Sequence, residues 1–244
     1  MGLSINGKVA LVTGANRGIG KATVESFIQH GAKKVYLAVR DSRSTQALEQ
    51  EYGDKVHTLE VDVSNPDSIL ALAEQAKDVD VLVNNAGVLE PADPLSDNVE
   101  QALQLELSVN VLGLIRMAKA FAPILEQNKG ALVQLNSVAS ITNFTDFTTY
   151  SASKAAAYSI TQGLRDKLSP KGVLVVSVHP GPIDTDMAVK AGMEGDPVSS
   201  VSEGIVAALA AGDFHLFPDS TAKEMWGIYQ GYASAAIEPQ ALAS

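Results

Sequence analysis

Short, nearly continuous apolar runs alternate along the chain with longer stretches in which apolar residues recur at helical spacing. Strands that are apolar on both faces are typical of parallel sheets that helices cover on both sides. The pattern therefore predicts parallel strands at 9–13, 35–39, 56–61, 79–83, 131–136, 173–178 and 214–217.

The longer stretches predict amphipathic helices between these strands. Asn65 stands where a helix cap is expected, Pro66 suits a first helical turn, and Gly31 suits the end of the first helix. In the tail, aromatic residues at helical spacing favour a core or subunit-contact helix over a cap on the substrate. The predicted helices cover 19–30, 45–52, 66–77, 97–127, 149–168, 202–211 and 223–237.

The regular alternation of strand and helix predicts the overall architecture. Crossovers between parallel strands are right-handed, so repeated units of this kind form a doubly wound sheet. No linker or repeat interrupts the pattern. We therefore predict one α/β domain over 1–244, a three-layer Rossmann-type fold with a parallel sheet of about seven strands.

Composition and charge exclude several functional classes. A net charge of −10 argues against binding to nucleic acid, which requires clustered Lys and Arg. Without cysteine there is no disulfide or thiolate metal site, and the four His show no ligand spacing, so no metal is predicted. The first residues lack a signal-peptide pattern and no apolar run looks long enough to span a bilayer. We expect a cytoplasmic protein with no membrane partner.

A glycine-rich turn connects the first strand to the first helix. Gly14, Gly18 and Gly20 remove side chains where the backbone has to approach a phosphate closely. The amino end of the following helix adds free N–H groups and a positive dipole, which attract an anion. The turn therefore predicts a site for the pyrophosphate of a nucleotide.

Tyr150 and Lys154 lie four residues apart in a predicted helix, so their side chains share one face. A neighbouring ammonium favours an ionised phenol, and we expect Lys154 to lower the pKa of Tyr150 toward working pH. Ser137 ends the fifth strand, at the edge of the sheet where ligands bind in such folds. The three residues together predict proton-transfer chemistry.

Five motifs occur in a fixed order between about residues 7 and 187: the glycine turn, Asn84-Asn85-Ala86-Gly87, Ser137, Tyr150-x-x-x-Lys154 and Pro180-Gly181. In order and spacing they resemble the short-chain dehydrogenase/reductase family. That resemblance implies an oxidoreductase that transfers hydride reversibly between NADP(H) and a ketone, aldehyde or secondary alcohol. It also implies a homodimer or homotetramer.

The resemblance implies the residues that bind the cofactor. Arg17 and Arg40 are similar to the family's NADP-preferring pattern, because cations there suit a 2′-phosphate. Asp41 leaves open whether NAD is also used, since it bonds either a ribose hydroxyl or Arg43. Asp62 either contacts the adenine or caps the helix entry with Ser64. The full set is Gly14, Asn16, Arg17, Gly18, Ile19, Gly20, Arg40, Asp62, Val63, Asn85, Ala86, Gly87, Tyr150, Lys154, Pro180, Gly181, Ile183 and Thr185.

The resemblance also implies roles in catalysis. Ser137 would bond the substrate oxygen, Tyr150 would exchange the proton, and Lys154 would tune the phenol and hold the nicotinamide ribose. Asn110 would hold a relay water, although it could equally satisfy backbone groups inside the helix pair. His179 is expected to be a packed core residue.

Two segments and two alternatives complete the predictions. Residues 187–200 contain Gly192, Gly195 and Pro197 and suggest a mobile substrate lid, while 142–147 would supply apolar walls. One alternative function is reduction of a 3-oxoacyl thioester on an acidic carrier, for which Lys129 and Lys171 would form a thin basic rim. The other is a non-catalytic sensor of NADP. Substrate, stereochemistry and direction stay open.

Overall fold

The computed structural model describes residues 2–233 and 237. Its strands form one parallel sheet in the order β3-β2-β1-β4-β5-β6-β7. This confirms the predicted doubly wound sheet. The strands are β1 Val9–Thr13, β2 Lys34–Val39, β3 Val56–Glu60, β4 Val81–Asn84, β5 Ala131–Leu135, β6 Leu174–Val178 and β7 His215–Leu216.

Helices cover both faces of the sheet. The buried side chains of α1 and α8 pack on one face, and those of α3, α5 and α6 pack on the other. The helices are α1 Gly18–Gln29, α2 Gln46–Tyr52, α3 Pro66–Gln75, α4 Val99–Glu106, α5 Gly113–Asn128, α6 Thr148–Leu168, α7 Asp186–Lys190, α8 Val198–Ala211 and α9 Ser220–Tyr232.

The first strand shows why the strands read as continuous apolar runs. Successive side chains of a strand point to opposite faces. Ala10 and Val12 therefore enter the core beneath α1 and α8, while Val9 and Leu11 enter the core on the other face. Both faces exclude water, so apolar residues predominate on both.

Helix ends follow the predicted signals in several places. The Asn65 side chain accepts hydrogen bonds from the N–H groups of Asp67 and Ser68, and Pro66 begins α3. Gly31, just after α1, has a φ of 84°, a left-handed conformation that glycine adopts without a Cβ clash.

The largest differences from the structure concern three of the predicted helices. The single helix predicted over 97–127 is divided by a π-helical turn, Leu107–Leu112, which separates α4 from α5. Helix α8 begins at Val198, so it includes residues assigned to the lid. The final helix begins at Ser220 instead of 223 and ends at Tyr232, and the rest of the predicted tail, 234–236 and 238–244, lies outside the described residues.

One expectation from hydropathy was wrong. The helical stretch Val99–Asn128, with a mean hydropathy of 1.3, is long and apolar enough by length and composition to cross a bilayer. Its large buried apolar side chains, Met117, Phe121 and Leu125, instead pack against the sheet. The high hydropathy of this stretch therefore reflects a helix that covers a large core.

Candidate active site

A cavity of about 800 Å³ opens at the carboxyl ends of the strands, where the loops after β1, β2, β3, β4, β5 and β6 converge. From β1 the chain adds β2 and β3 on one side of the sheet, and from β4 it adds β5, β6 and β7 on the other side. The topological switch point of the sheet therefore lies between β1 and β4. The cavity spans that point. Every predicted site residue lines it except Gly20 and Asn110.

The glycine turn adopts a conformation that needs its glycines. Gly14 and Gly18 have φ values of 64° and 51°, in the left-handed region. Gly20 allows a close approach, because a Cβ at this position would lie 2.1 Å from the Gly14 carbonyl oxygen. Helix α1 begins at Gly18, and no side chain caps its first N–H groups. The turn thus leaves N–H donors available at the cavity for an anion.

Thr13, which was not predicted as a site residue, connects this turn to the loop after β4 through hydrogen bonds. Its hydroxyl accepts the N–H groups of Asn85 and Ala86, each at 2.9 Å, and donates to the Val83 carbonyl at 3.3 Å. The Asn85 side chain donates to the Thr13 carbonyl at 2.8 Å. These bonds join the ends of β1 and β4 across the switch point.

The acidic residue after β3 has a local structural role. Asp62 Oδ1 accepts hydrogen bonds from the Ser64 N–H at 2.9 Å and the Ser64 hydroxyl at 2.7 Å. These two hydrogen bonds lower the pKa of Asp62, and the bond from the Ser64 side chain has the larger effect. Asp62 and Val63 also line the cavity, so contact with an adenine stays a prediction beside the observed turn.

The acidic residue after β2 is paired with a cation, and whether NAD is also used stays open. Arg43 binds the Asp41 carboxylate through two nitrogens, each at 2.9 Å, and lowers its pKa. Arg17 pairs with Asp186 at 2.6 Å. Arg40 forms no salt bridge with any residue that the structure describes, although it lines the cavity. Asp41 is therefore already partnered, and Arg40 is available to an anion.

Ser137, Tyr150 and Lys154 meet at the centre of the cavity. Ser137 lies beyond the end of β5, and its hydroxyl accepts the Ala139 N–H at 3.1 Å and is 3.3 Å from the Pro180 carbonyl. The Ser137 hydroxyl lies near enough to Tyr150 to lower the pKa of the phenol. Tyr150 is only partly buried and therefore open to a ligand in the cavity.

The tuning of Tyr150 by Lys154 stays a prediction, and the structure adds a second effect on the phenol. The Lys154 ammonium donates to the Leu135 carbonyl at 2.8 Å and lies 5.6 Å from the centre of the Tyr150 ring. Desolvation by the surrounding walls outweighs the effect of Ser137 and raises the pKa of Tyr150 to about 12. Burial also lowers the pKa of Lys154 to about 8. The loss of water around the phenol thus favours its protonated form.

Asn110 lies behind the cavity wall, 3% exposed, in the π-helical turn. Its amide oxygen accepts the Val88 N–H and its nitrogen donates to the Val88 carbonyl, both at 2.9 Å. The same nitrogen donates to the Ser153 hydroxyl at 3.0 Å. The structure shows the backbone-satisfying role of Asn110, and its role with a relay water stays a prediction.

The loop after β6 is held by Asp219, a second residue that sequence reasoning missed. Asp219 accepts the Gly181 N–H at 2.8 Å and caps α9 through the Ala222 N–H at 2.9 Å. A Cβ at Gly181 would lie 2.7 Å from the Asp219 carboxylate, so the contact requires glycine. An Asp before a run of helix formers is a cap signal that could have identified it.

His179 is fully buried, as predicted. Its ring nitrogens bond the hydroxyls of Ser140 and Ser177, each at 2.8 Å, beneath the backbone of Ser137. Burial lowers its pKa to about 3. His179 is thus a neutral packing residue that supports the turn of Ser137.

The outer part of the cavity is apolar. Helix α7 and the segment after it stand over the opening. Two backbone hydrogen bonds connect this segment to the loop after β6, from the Asp184 N–H to the Asp196 carbonyl and from the Asp196 N–H to the Pro182 carbonyl. This part of the predicted lid therefore has fixed anchors, and its motion stays a prediction. The apolar walls are Val88, Leu89, Phe144, Phe147, Met187 and Met193.

A family model described as short chain dehydrogenase matches residues 8–194. The chain belongs to this family. This short-chain dehydrogenase is thereby an oxidoreductase, and the match covers the glycine turn, the Ser137–Tyr150–Lys154 group and the loop after β6. Among the residues that the structure describes, no cluster of His, Asp or Glu is arranged to hold a metal.

Known relatives agree with this assignment. The short-chain dehydrogenase is 34% identical over 76% of its length to an uncharacterised oxidoreductase of Staphylococcus saprophyticus, of which it covers 82%. It is 33% identical over 76% of its length to a 3-oxoacyl-[acyl-carrier-protein] reductase of Vibrio cholerae, covering 77% of that protein. A crystal structure of a Burkholderia cenocepacia short-chain dehydrogenase in complex with NADP superposes with a TM-score of 0.88 at 33% identity, over 97% of this chain and 100% of that one.

Proposed function

We propose that this short-chain dehydrogenase is an NADPH-dependent reductase of ketones or aldehydes that are apolar and uncharged around the carbonyl. The observation that carries the proposal is the Ser137–Tyr150 pair, which faces a cavity between a phosphate-binding turn and an apolar wall. A donor that fixes the carbonyl and an acid that protonates it are the two groups such a reduction requires.

The residues around the cavity fit a dinucleotide with a 2′-phosphate. The turn at Gly14 and Gly18 would hold the pyrophosphate, because its N–H groups are free and no Cβ blocks the approach. Arg40 would bind the 2′-phosphate, with Arg17 contributing once it leaves Asp186. The Burkholderia cenocepacia relative, which was crystallised with NADP, supports this assignment.

The bound nicotinamide supplies the hydride, and the chain's own groups handle the oxygen and the proton. Ser137 would donate a hydrogen bond to the substrate carbonyl, orienting it and stabilising the oxyanion as charge develops. Tyr150 would transfer its phenolic proton to that oxygen. The ammonium of Lys154 would stabilise the resulting phenolate until a proton returns from water.

The protonation state of Tyr150 favours reduction as the working direction. A phenol with a pKa near 12 is protonated throughout the physiological range and ready to donate. Oxidation of an alcohol would need the phenolate, which burial disfavours. We therefore propose reduction as the faster direction near neutral pH.

Charge around the cavity supports an uncharged substrate. The cations that line it are Arg17 and Arg40 at the cofactor end and Lys154 at the catalytic centre. The outer wall is formed by aliphatic, aromatic and Met side chains such as Leu89, Phe147 and Met193. A substrate carboxylate there would be desolvated without a partner, which costs binding energy.

A second candidate, reduction of a 3-oxoacyl thioester, is favoured by the Vibrio cholerae relative. The basic rim expected for an acidic carrier is not at the cavity, however. Lys129 and Lys171 precede β5 and β6, at the opposite edge of the sheet, and Lys171 is paired with Glu126 at 2.7 Å. A sensor without turnover is the third candidate, and the intact proton-transfer group counts against it.

Two features of the family's organisation complete the proposal. We propose a homodimer or homotetramer and a cytoplasmic location, as the family resemblance suggests. We also retain the segment over the cavity as a substrate lid, because Met187 and Met193 line its wall.

The test is NADPH consumption with a panel of matched carbonyl compounds. The panel pairs aryl and alkyl ketones with the same ketones bearing a carboxylate, and it includes a 3-oxoacyl thioester. We expect turnover with the neutral apolar members and a loss of kcat/KM with the carboxylates. A preference for the carboxylates or the thioester would overturn the substrate assignment, and tight NADPH binding without turnover would favour a sensor.

A further inference from the structure

Glu106, the last residue of α4, carries a carboxyl group that is fully buried. One oxygen, Oε1, accepts the Glu90 N–H at 2.9 Å. The other, Oε2, has no hydrogen-bond partner among the residues that the structure describes. A buried carboxyl with one unpaired oxygen is costly, so its position calls for an explanation.

Two polar side-chain contacts connect α6 with α4 and the π-helical turn that follows it, and Glu106 takes part in one of them. Asn110, four residues after Glu106, bonds the hydroxyl of Ser153. Glu106 itself faces Thr149, four residues before Ser153, and the Thr149 hydroxyl lowers the pKa of the carboxyl. The contact falls short of a full hydrogen bond, since Glu106 Oε2 and Thr149 Oγ1 are both unpaired.

These two contacts adjoin the catalytic side chains along α6. Tyr150 follows Thr149 in the chain, and Lys154 follows Ser153. Thr149 and Ser153 are 2% and 0% exposed, so the contact excludes water that would screen a charge. A charge on Glu106 is therefore poorly screened from the neighbouring row of α6, which carries Tyr150 and Lys154.

The charged groups that act on Glu106 come from two neighbouring elements. Glu90, on the loop after β4, opposes its ionisation, while Lys154, on α6, favours it; burial is the largest effect and raises the pKa of Glu106. In return, Glu106 raises the pKa of Lys154 against the lowering by burial, and it also raises the pKa of Tyr150.

We propose that Glu106 is a positioning residue whose carboxylate keeps Lys154 an ammonium, thereby setting the alkaline limit of carbonyl reduction. The inference rests on the proposed function. Burial of the amine in the absence of Glu106 would release its proton at a lower pH, and the ammonium that stabilises the phenolate would be lost.

The pH profile follows from the sign of this interaction. With Glu106 in place the pKa of Lys154 is about 8, so the reductase is fully competent below that pH and loses activity as the pH rises through it. Without the carboxylate the pKa of Lys154 falls. The alkaline limb of kcat/KM for reduction then moves to lower pH.

The experiment compares pH profiles of kcat and kcat/KM for NADPH-dependent reduction in wild type, Glu106→Gln, Glu106→Asp and Glu100→Gln. Gln keeps an acceptor for the Glu90 N–H but removes the charge, while Asp keeps the charge. Glu100, on the exposed side of the same helix, is the matched control for charge removal. Thermal unfolding of each variant reports its fold.

We expect the alkaline limb of Glu106→Gln to shift down by about one pH unit, as the loss of a neighbouring opposite charge predicts. Glu106→Asp and Glu100→Gln should keep the wild-type limb. An unshifted limb in folded Glu106→Gln, or an equal shift in Glu106→Asp, would overturn the proposal.

A second variant covers the case in which Glu106→Gln does not fold. Thr149→Val keeps the shape of the side chain and removes the hydroxyl that favours the carboxylate. It should shift the limb in the same direction by less, and no shift would overturn the inference. A wild type without turnover, or a fully active Tyr150→Phe, would instead contradict the proposed function, whereas an active wild type with inactive Tyr150→Phe leaves only Glu106 in question.

Discussion

Replacing Arg40 with Ser should weaken NADPH binding strongly and NADH binding very little. Arg40 lines the cofactor end of the cavity, and in the part of the chain that the structure describes it has no carboxylate partner. Its guanidinium is therefore free to bind a 2′-phosphate, the one group in which the two cofactors differ. A hydrogen bond to a charged group contributes about 1.5–3 kcal/mol.

The expected magnitude follows directly. A loss of about 2 kcal/mol corresponds to about a 30-fold increase in the Kd for NADPH. The Kd for NADH, which lacks the phosphate, should stay within about twofold of wild type. Arg17→Ser should cost NADPH less, because Arg17 must first give up its bond to Asp186, 2.6 Å away.

The assay is a fluorescence titration of each variant with NADPH and with NADH at constant ionic strength. Lys21→Ser provides a control, since Lys21 is an exposed cation of α1, paired with Glu25, that does not line the cavity. It should leave both affinities unchanged. Equal losses of NADPH and NADH affinity in Arg40→Ser would refute the assignment of the phosphate site.

Two further predictions concern stability and the glycine turn. The pKa of His179 is about 3 when folded and about 6.5 in an unfolded chain, so its contribution to stability is present above pH 6.5 and is lost as pH falls toward 3. Urea unfolding should show about 1 kcal/mol more loss between pH 6.5 and 5.5 in wild type than in His179→Gln, and equal losses would contradict the buried neutral imidazole. Gly20→Ala should abolish NADPH binding, because its Cβ would meet the Gly14 carbonyl oxygen at 2.1 Å. Gly163→Ala, in an open position of α6, should leave binding intact, and normal binding by Gly20→Ala would disprove the turn geometry.

The features that sequence alone predicted depend on local patterns. The strands could be recognised because residues such as Ala10 and Leu11 are apolar whichever face they point to. The glycine turn and the spacing of Tyr150 and Lys154 are equally local, and a helix brings residues four apart together without help from the rest of the fold.

The features that sequence missed depend on distant contacts. Asp219 bonds Gly181 across 38 residues, and Thr13 bonds Asn85 across 72. No local sequence pattern indicates that these residues are in contact. The π-helical turn around Asn110 arises where the helix meets Val88 and Ser153, so periodicity predicted one unbroken helix.

The electrostatics of the site also escaped prediction for a physical reason. Spacing showed that Lys154 could lie beside Tyr150, but burial and the direction of the ammonium depend on the whole cavity. Desolvation raises the pKa of Tyr150 and lowers that of Lys154, and the ammonium donates to Leu135. The prediction about the phenol counted the neighbouring charge without the loss of water, which acts on its pKa in the opposite direction.

The most direct test of the central claim is a single-turnover reduction of a neutral aryl ketone with NADPH deuterated at the transferred position, in wild type and in Tyr150→Phe. We expect wild type to place the deuterium on the carbinol carbon and Tyr150→Phe to bind NADPH normally but form almost no alcohol. Turnover by Tyr150→Phe at the wild-type rate, or product without deuterium, would contradict hydride transfer with Tyr150 as the acid.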